Sequence, residues 1–271
     1  MRNPVASSII GLSAMLAFSS VAMAQEGRGA QNTLYNKLNQ DPSTGGPAPR
    51  RDLNGAWAGP LMAKKEVIPA MTPLGERRFS LNKPESKFGT AGSNDPWKTC
   101  DPYGFPRSVT EELRGIAFSQ MPNKMVVLHQ YQRVWRDVWT DGRELPKNID
   151  AKGGPASRWY GYSVGHWDGD YTFVIDTIGS DDRSWLDNRG YPHSADMHVE
   201  ERYTRLDHNH MEMTVTVDDP KIYTKPFVLA KANFRWIPNQ ETEEQLCVPS
   251  EALAYLDIIA VPANGGPSQT K

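Results

Sequence analysis

The chain has 271 residues, with 30 basic and 32 acidic side chains, a formal charge of −2, 38% hydrophobic residues and 10% aromatic residues. Charge so close to balance removes the electrostatic footprint expected of a nucleic-acid binder or an anionic-membrane binder, and eight tryptophans exclude a wholly disordered chain. A mean hydropathy of −0.59 together with 21 prolines implies long polar connections around a core of domain size.

Arg2 precedes an apolar tract from Ser8 to Phe18, and the small residues Ala22 and Ala24 follow it. This is the pattern of a secretory signal peptide over residues 1–24, cleaved after Ala24. The tract is shorter than the roughly 20 apolar residues a spanning helix needs, and nothing later in the chain is a candidate, so no membrane span is expected. The implied location is the periplasm or the exterior. Cys100 and Cys247 are the only cysteines. In an oxidising compartment they form a disulfide candidate, and neither has the close companion a cysteine-based zinc site requires. Residues 25–50 read as a flexible leader with several glycines and prolines among polar side chains; 51–260 read as one β-rich domain, and 261–271 as a disordered tail.

Trp57 lies in the first strand, after Gly55. Residues 60–110 are proline-rich and poorly alternating, an elaborated connection with one short helix around Pro73 to Leu81. Strands are expected at 115–120, 124–132, 134–140, 159–167, 171–177, 197–206, 210–218, 232–237 and 244–248. Asp141-Gly142 and Asp168-Gly169 are suited to tight hairpin turns because glycine accepts positive φ. Asp207-His208-Asn209 is a third turn, and a closing helix starts near Pro249 with Ser250 as its cap. Sequential hairpins without intervening helices predict a mainly β fold, an antiparallel barrel or strongly curled sheet of about eight to ten strands.

Gly55-Ala56-Trp57 in the first strand and Phe234-Arg235-Trp236 in the last resemble the lipocalin or calycin arrangement. That resemblance implies Trp57 at the closed end of a barrel with Arg235 over its ring. A longer resemblance, from Leu53 to Glu251, is carried by CDPYGFPR at 100–107, WTDGR at 139–143, YSVGHWDGD at 162–170, WLD at 185–187, HVEER at 198–202 and DDPKIYT at 218–224. These motifs are similar to a large group of exported bacterial proteins. They imply an exported β-rich domain and bring no reaction with them.

Side chains able to do chemistry are densest from Asp187 to Arg202. In an extended strand His198, Glu200 and Arg202 share one face, while Val199, Glu201 and Tyr203 share the other. The carboxylate beside an imidazole suits proton transfer, and Arg202 suits an anion. The candidate catalytic residues are His198, Glu200, Glu201, Arg202 and His193; the alternative for these charges is cross-strand pairing on an outer face. His193, His198 and Glu200 are too loosely spaced to specify a metal site, and neither a metal nor a cofactor is expected. Asp141, Arg143, Trp139, Tyr162 and His166 are candidate ligand contacts, because tyrosine and tryptophan suit a pocket for a ring-bearing or sugar-like molecule. The expected partner is a small molecule. The sequence leaves two functions open: an exported enzyme using cofactor-free acid/base chemistry of the lyase, isomerase or hydrolase type, or a periplasmic binding protein for an aromatic, lipid or sugar ligand. Convergence of histidine and carboxylates inside a cavity favours the first; a cavity of aromatic residues favours the second.

Overall fold

In the computed structural model nine strands close into a barrel in strict chain order, and the last pairs with the first. The structure describes residues 43–111, 115–238 and 244–266; the expected signal peptide and most of the expected leader lie outside them. The strands are β1 (Gly55–Lys65), β2 (Ile116–Gln120), β3 (Lys124–His129), β4 (Val134–Trp139), β5 (Tyr162–Asp168), β6 (Thr172–Ile178), β7 (His198–Arg205), β8 (His210–Asp218) and β9 (Phe227–Trp236). Closure removes the free edges an open sheet would present, apart from the stretch where β4 and β5 pair over only two positions. None of the described helices is long and apolar enough to cross a membrane.

Alternation fills the barrel. Along β7, Val199, Glu201, Tyr203 and Arg205 are buried and the residues between them are half-exposed. Met211, Met213, Val215 and Val217 of β8 and Phe173 and Ile175 of β6 complete much of that side of the core. Gly165 of β5 is where a side chain would not fit: a Cβ there would stand 2.6 Å from the Phe173 ring and 2.8 Å from Val138. The interior is therefore packed side chain against side chain.

One strand pair departs from the antiparallel expectation. β4 and β5 run parallel, and only Val138 with Ser163 and Trp139 with Val164 are in register. Parallel neighbours need a long crossover, which residues 140–161 supply. Asp141-Gly142 accordingly closes no hairpin; the Asp141 carboxylate instead accepts from the backbone and guanidinium of Arg143. Asp168-Gly169 does turn a hairpin, with Asp168 opposite Thr172.

Two strands are longer than expected, and one expected strand is absent. β1 continues through Pro60 to Lys65, with register shifts between Ala58 and Leu61 and again before Lys64. Proline is tolerated where a ladder is irregular. β9 begins at Phe227 and accommodates a register shift against Val215 and Thr216. Residues 244–248 make only an isolated bridge, Gln245 with Tyr131.

The elaboration before β2 packs on the barrel. Helix α1 (Pro73–Leu81) starts as the sequence implies, with Thr72 accepting from the Gly75 backbone and proline in the first turn. Helix α2 (Glu85–Gly92), a 3-10 turn (Pro96–Thr99) and the single turn α3 (Arg107–Thr110) follow. Buried Arg107 grips Asp95 through two 2.8 Å bonds and lies 4.6 Å over the Tyr103 ring. Residues 44–50, grouped by composition with the leader, are bonded to the barrel end: the backbones of Asn209 and His208 donate to Thr44 and Gly46, and Arg50 pairs with Asp170.

Helix α4 (Pro249–Tyr255) closes the fold. Val248 occupies the cap position and makes no side-chain cap bond, so Ser250 sits one residue inside the helix and does not cap it. The helical path continues through Leu256–Ala260 and Val261–Ala263, taking in the first residues of the expected tail; 267–271 lie outside the described residues. Cys100 and Cys247 form the disulfide, with Cα atoms 5.4 Å apart across 147 residues of chain. Reduction is expected to lower stability by about 2 to 4 kcal/mol by releasing that loop in the unfolded chain; the check is the urea midpoint of oxidised protein against protein reduced and alkylated.

The guanidinium over Trp57 is Arg205 of β7, 4.9 Å from the ring, in place of the expected Arg235. Trp57 is fully buried, and its indole donates to the Leu53 carbonyl. Arg205 is directed inward by the alternation of β7. Its guanidinium also binds the carbonyls of Asp52 and His208. Arg235, beside Ala58 across the closing pair, reaches His210.

Candidate ligand-binding site

Because β4 and β5 pair over only two positions, the wall splays open between them. A cavity of about 620 Å³ occupies this seam, within the range that holds a small organic ligand. Trp135, Trp139, Trp159, Tyr160 and Tyr162 line it, with Arg136, Arg143, Arg158 and Ser163. Alternation sorts the lining. Trp135, Asp137 and Trp139 project to the outside of β4, as Tyr162 and Val164 do from β5; Arg136 and Ser163 face the interior and are buried. Gly161 makes the turn into β5 with φ +64°, and a Cβ there would strike the Ile178 carbonyl at 2.6 Å. This bend brings Tyr160 and Tyr162 to the same opening.

The aromatic rings are held by cations. Arg143 lies 3.6 Å over Trp139, Arg158 4.1 Å over Tyr162 and Arg183 4.3 Å over Trp159. Such contacts fix ring planes at modest cost in water. Trp135 is different: 68% of it is exposed.

Behind the seam is a buried polar cluster. Arg136 meets Glu201 through Nη2 to Oε2 at 2.6 Å and Nη1 to Oε1 at 3.3 Å, and Tyr203 donates its hydroxyl to Glu201 at 2.7 Å. Ser163 and Thr177 share a 2.8 Å bond and lie 3.4 and 3.5 Å from Arg136 Nη2. Phe105 covers the Arg136 guanidinium at 4.0 Å. Arg136 Nε is buried with no hydrogen-bond partner, as is His129 Nε2. Burial, reinforced by the charge of Arg136, pushes the His129 pKa down to about 3. Burial also raises the phenol of Tyr160, beside His129.

Among the residues proposed from sequence for catalysis, Glu201 alone belongs to this interior cluster. His198, Glu200 and Arg202 alternate onto the outer wall of the barrel. His198 Nε2 lies 2.8 Å from Asp176 Oδ1, a contact that raises its pKa, and Arg202 pairs with Asp168. His193 is fully buried in the connection between β6 and β7, with Nε2 2.9 Å from Ser184 Oγ and Nδ1 3.2 Å from the Ser194 carbonyl; burial lowers its pKa. The candidate metal set is thereby separated between a buried loop and an outer wall, and no group of three potential ligands occurs among the described residues. Of the proposed ligand contacts, Trp139, Arg143 and Tyr162 line the seam. Asp141 holds Arg143 from behind, and His166 points from the outer face of β5 into solvent.

Arg136, Arg158 and Trp159 are lining residues that the strand pattern does not single out. The signal for Arg136 was present: an arginine between Val134 and Val138 on the inward period of a strand requires a buried acid as partner. Finding that acid needed the tertiary fold, because Glu201 is 65 residues away. No known protein-family model, curated protein or solved structure matches this chain.

Proposed function

We propose that the protein is an exported small-molecule-binding barrel that holds a flat, ring-bearing ligand in the seam between β4 and β5. The observation that carries this reading is Trp135, largely exposed at the rim of a cavity that two further tryptophans and two tyrosines also line. A bare indole in water is stable only at a cost, and clustering three of the chain's eight tryptophans around one opening is the chemistry of a stacking site. The acid/base alternative has less support. Both oxygens of Glu201 are occupied by Arg136 and Tyr203, and His198 with Asp176 stands on the wall outside the cavity.

The reading is tested by mass spectrometry of small molecules retained by the purified protein, together with calorimetric titration of ring compounds. Trp135→Ala is expected to weaken retention about tenfold, the scale of one lost stacking partner, and to leave the urea midpoint unchanged because the side chain is exposed. Retention unaffected by both Trp135→Ala and Trp139→Ala would place the ligand elsewhere.

A further inference from the structure

The charges lining the seam do not cancel. Its two acids are already paired, Asp137 with Lys124 at 2.8 Å and Glu144 with Lys147 at 3.1 Å. Two of its three arginines are paired as well, Arg136 with Glu201 and Arg143 with Asp141. Arg158 is left. Its side chain has no acid or hydrogen-bond acceptor among the described residues, and its guanidinium carbon lies 4.1 Å from the centre of the Tyr162 ring, a contact that holds the group without using its N–H donors. At the floor, Arg136 Nε is a second donor with no acceptor, fully buried. The cavity thus offers the uncompensated charge and N–H donors of Arg158, and no unpaired acid.

We infer that the ligand is a ring compound bearing a carboxylate, with the ring against the tryptophans and the carboxylate on Arg158; this rests on the binding function proposed above. A carboxylate matches one guanidinium in both charge and geometry, because two parallel N–H donors meet two oxygens. A phosphate dianion would retain excess negative charge against a single unpaired arginine. A neutral ring would leave the cation uncompensated in a partly dewatered site, where such interactions strengthen.

The test is calorimetric titration of the purified full chain with three probes of the same ring, 2-naphthoate, 2-naphthamide and 2-naphthyl phosphate. Naphthoate is expected to bind at least tenfold more tightly than the other two. Arg158→Gln should remove that advantage by weakening naphthoate at least tenfold more than naphthamide, and unchanged urea midpoints would show that the exposed substitution leaves the fold intact. Equal affinity for naphthoate and naphthamide, or tighter binding of the phosphate, overturns the carboxylate assignment and leaves the ring-binding function standing. Equal loss of naphthoate and naphthamide in Arg158→Gln also overturns it, because Arg158 would then act only through its packing on Tyr162. If none of the three binds, both the assignment and the ring-binding function fall.

Discussion

Glu201→Gln is expected to destabilise the protein by about 3 to 5 kcal/mol, the cost of leaving a buried charge without its partner. The side chains of Arg136 and Glu201 are 1% and 0% exposed, so water cannot replace the lost charge. Glutamine preserves the shape and can still accept from Tyr203. The loss therefore reports the unpaired guanidinium and not a cavity. Replacing both partners with apolar residues of similar volume, Arg136→Met with Glu201→Leu, should recover most of the loss, because the desolvation cost of both ions disappears together. Urea midpoints of wild type, Arg136→Met, Glu201→Leu and the double variant form a cycle whose coupling energy should be about 2 kcal/mol or more. A Glu201→Gln variant that loses less than about 1 kcal/mol would show that water reaches Arg136.

The same pair explains what was legible in the sequence and what was not. The alternation of HVEERYTR at 198–205 is that of a strand, and it separates Glu201 from His198, Glu200 and Arg202 as the structure does. It does not say which set faces inward, because both faces carry charge. That choice depends on partners from other strands: Arg136 on β4 for Glu201, Asp176 on β6 for His198. The two Asp-Gly turns make the same point. Asp168-Gly169 is followed at once by a β-branched and aromatic run that folds back. Asp141-Gly142 is followed by Pro146, Gly153, Gly154 and Pro155, which delay the next strand until the chain has crossed over to run parallel. The seam cavity is a product of that crossover, so its lining could not be assembled from strand patterns alone. Where local chemistry suffices, as at Pro73, the expected and observed first residue of α1, the sequence and the structure agree.

Acid should destabilise the barrel well before most of its carboxylates are protonated. His129 has an ordinary value of 6.5 and is held near 3 in the folded protein, first by burial and then by the charge of Arg136, against a smaller opposing contribution from its bond to the Ser108 backbone. Between these values the unfolded chain binds a proton at this position and the folded chain does not. Stability is therefore full above about pH 6.5 and falls as the pH drops toward 3. Over the whole window the loss from this residue is about 4 to 5 kcal/mol, on the scale of 1.36 kcal/mol per pKa unit. His193, also buried with a lowered pKa, acts in the same direction. The measurement is urea unfolding of wild type and His129→Asn at pH 7.5 and pH 4.5. The asparagine variant should be less stable at pH 7.5, having lost ring packing against Tyr160, yet lose about 2 to 3 kcal/mol less than wild type on going to pH 4.5 because it has no proton to gain. Carboxylate titration is common to both proteins and cancels in that difference. Equal losses in the two proteins would mean that His129 protonates inside the folded barrel, which requires water to reach its Nε2.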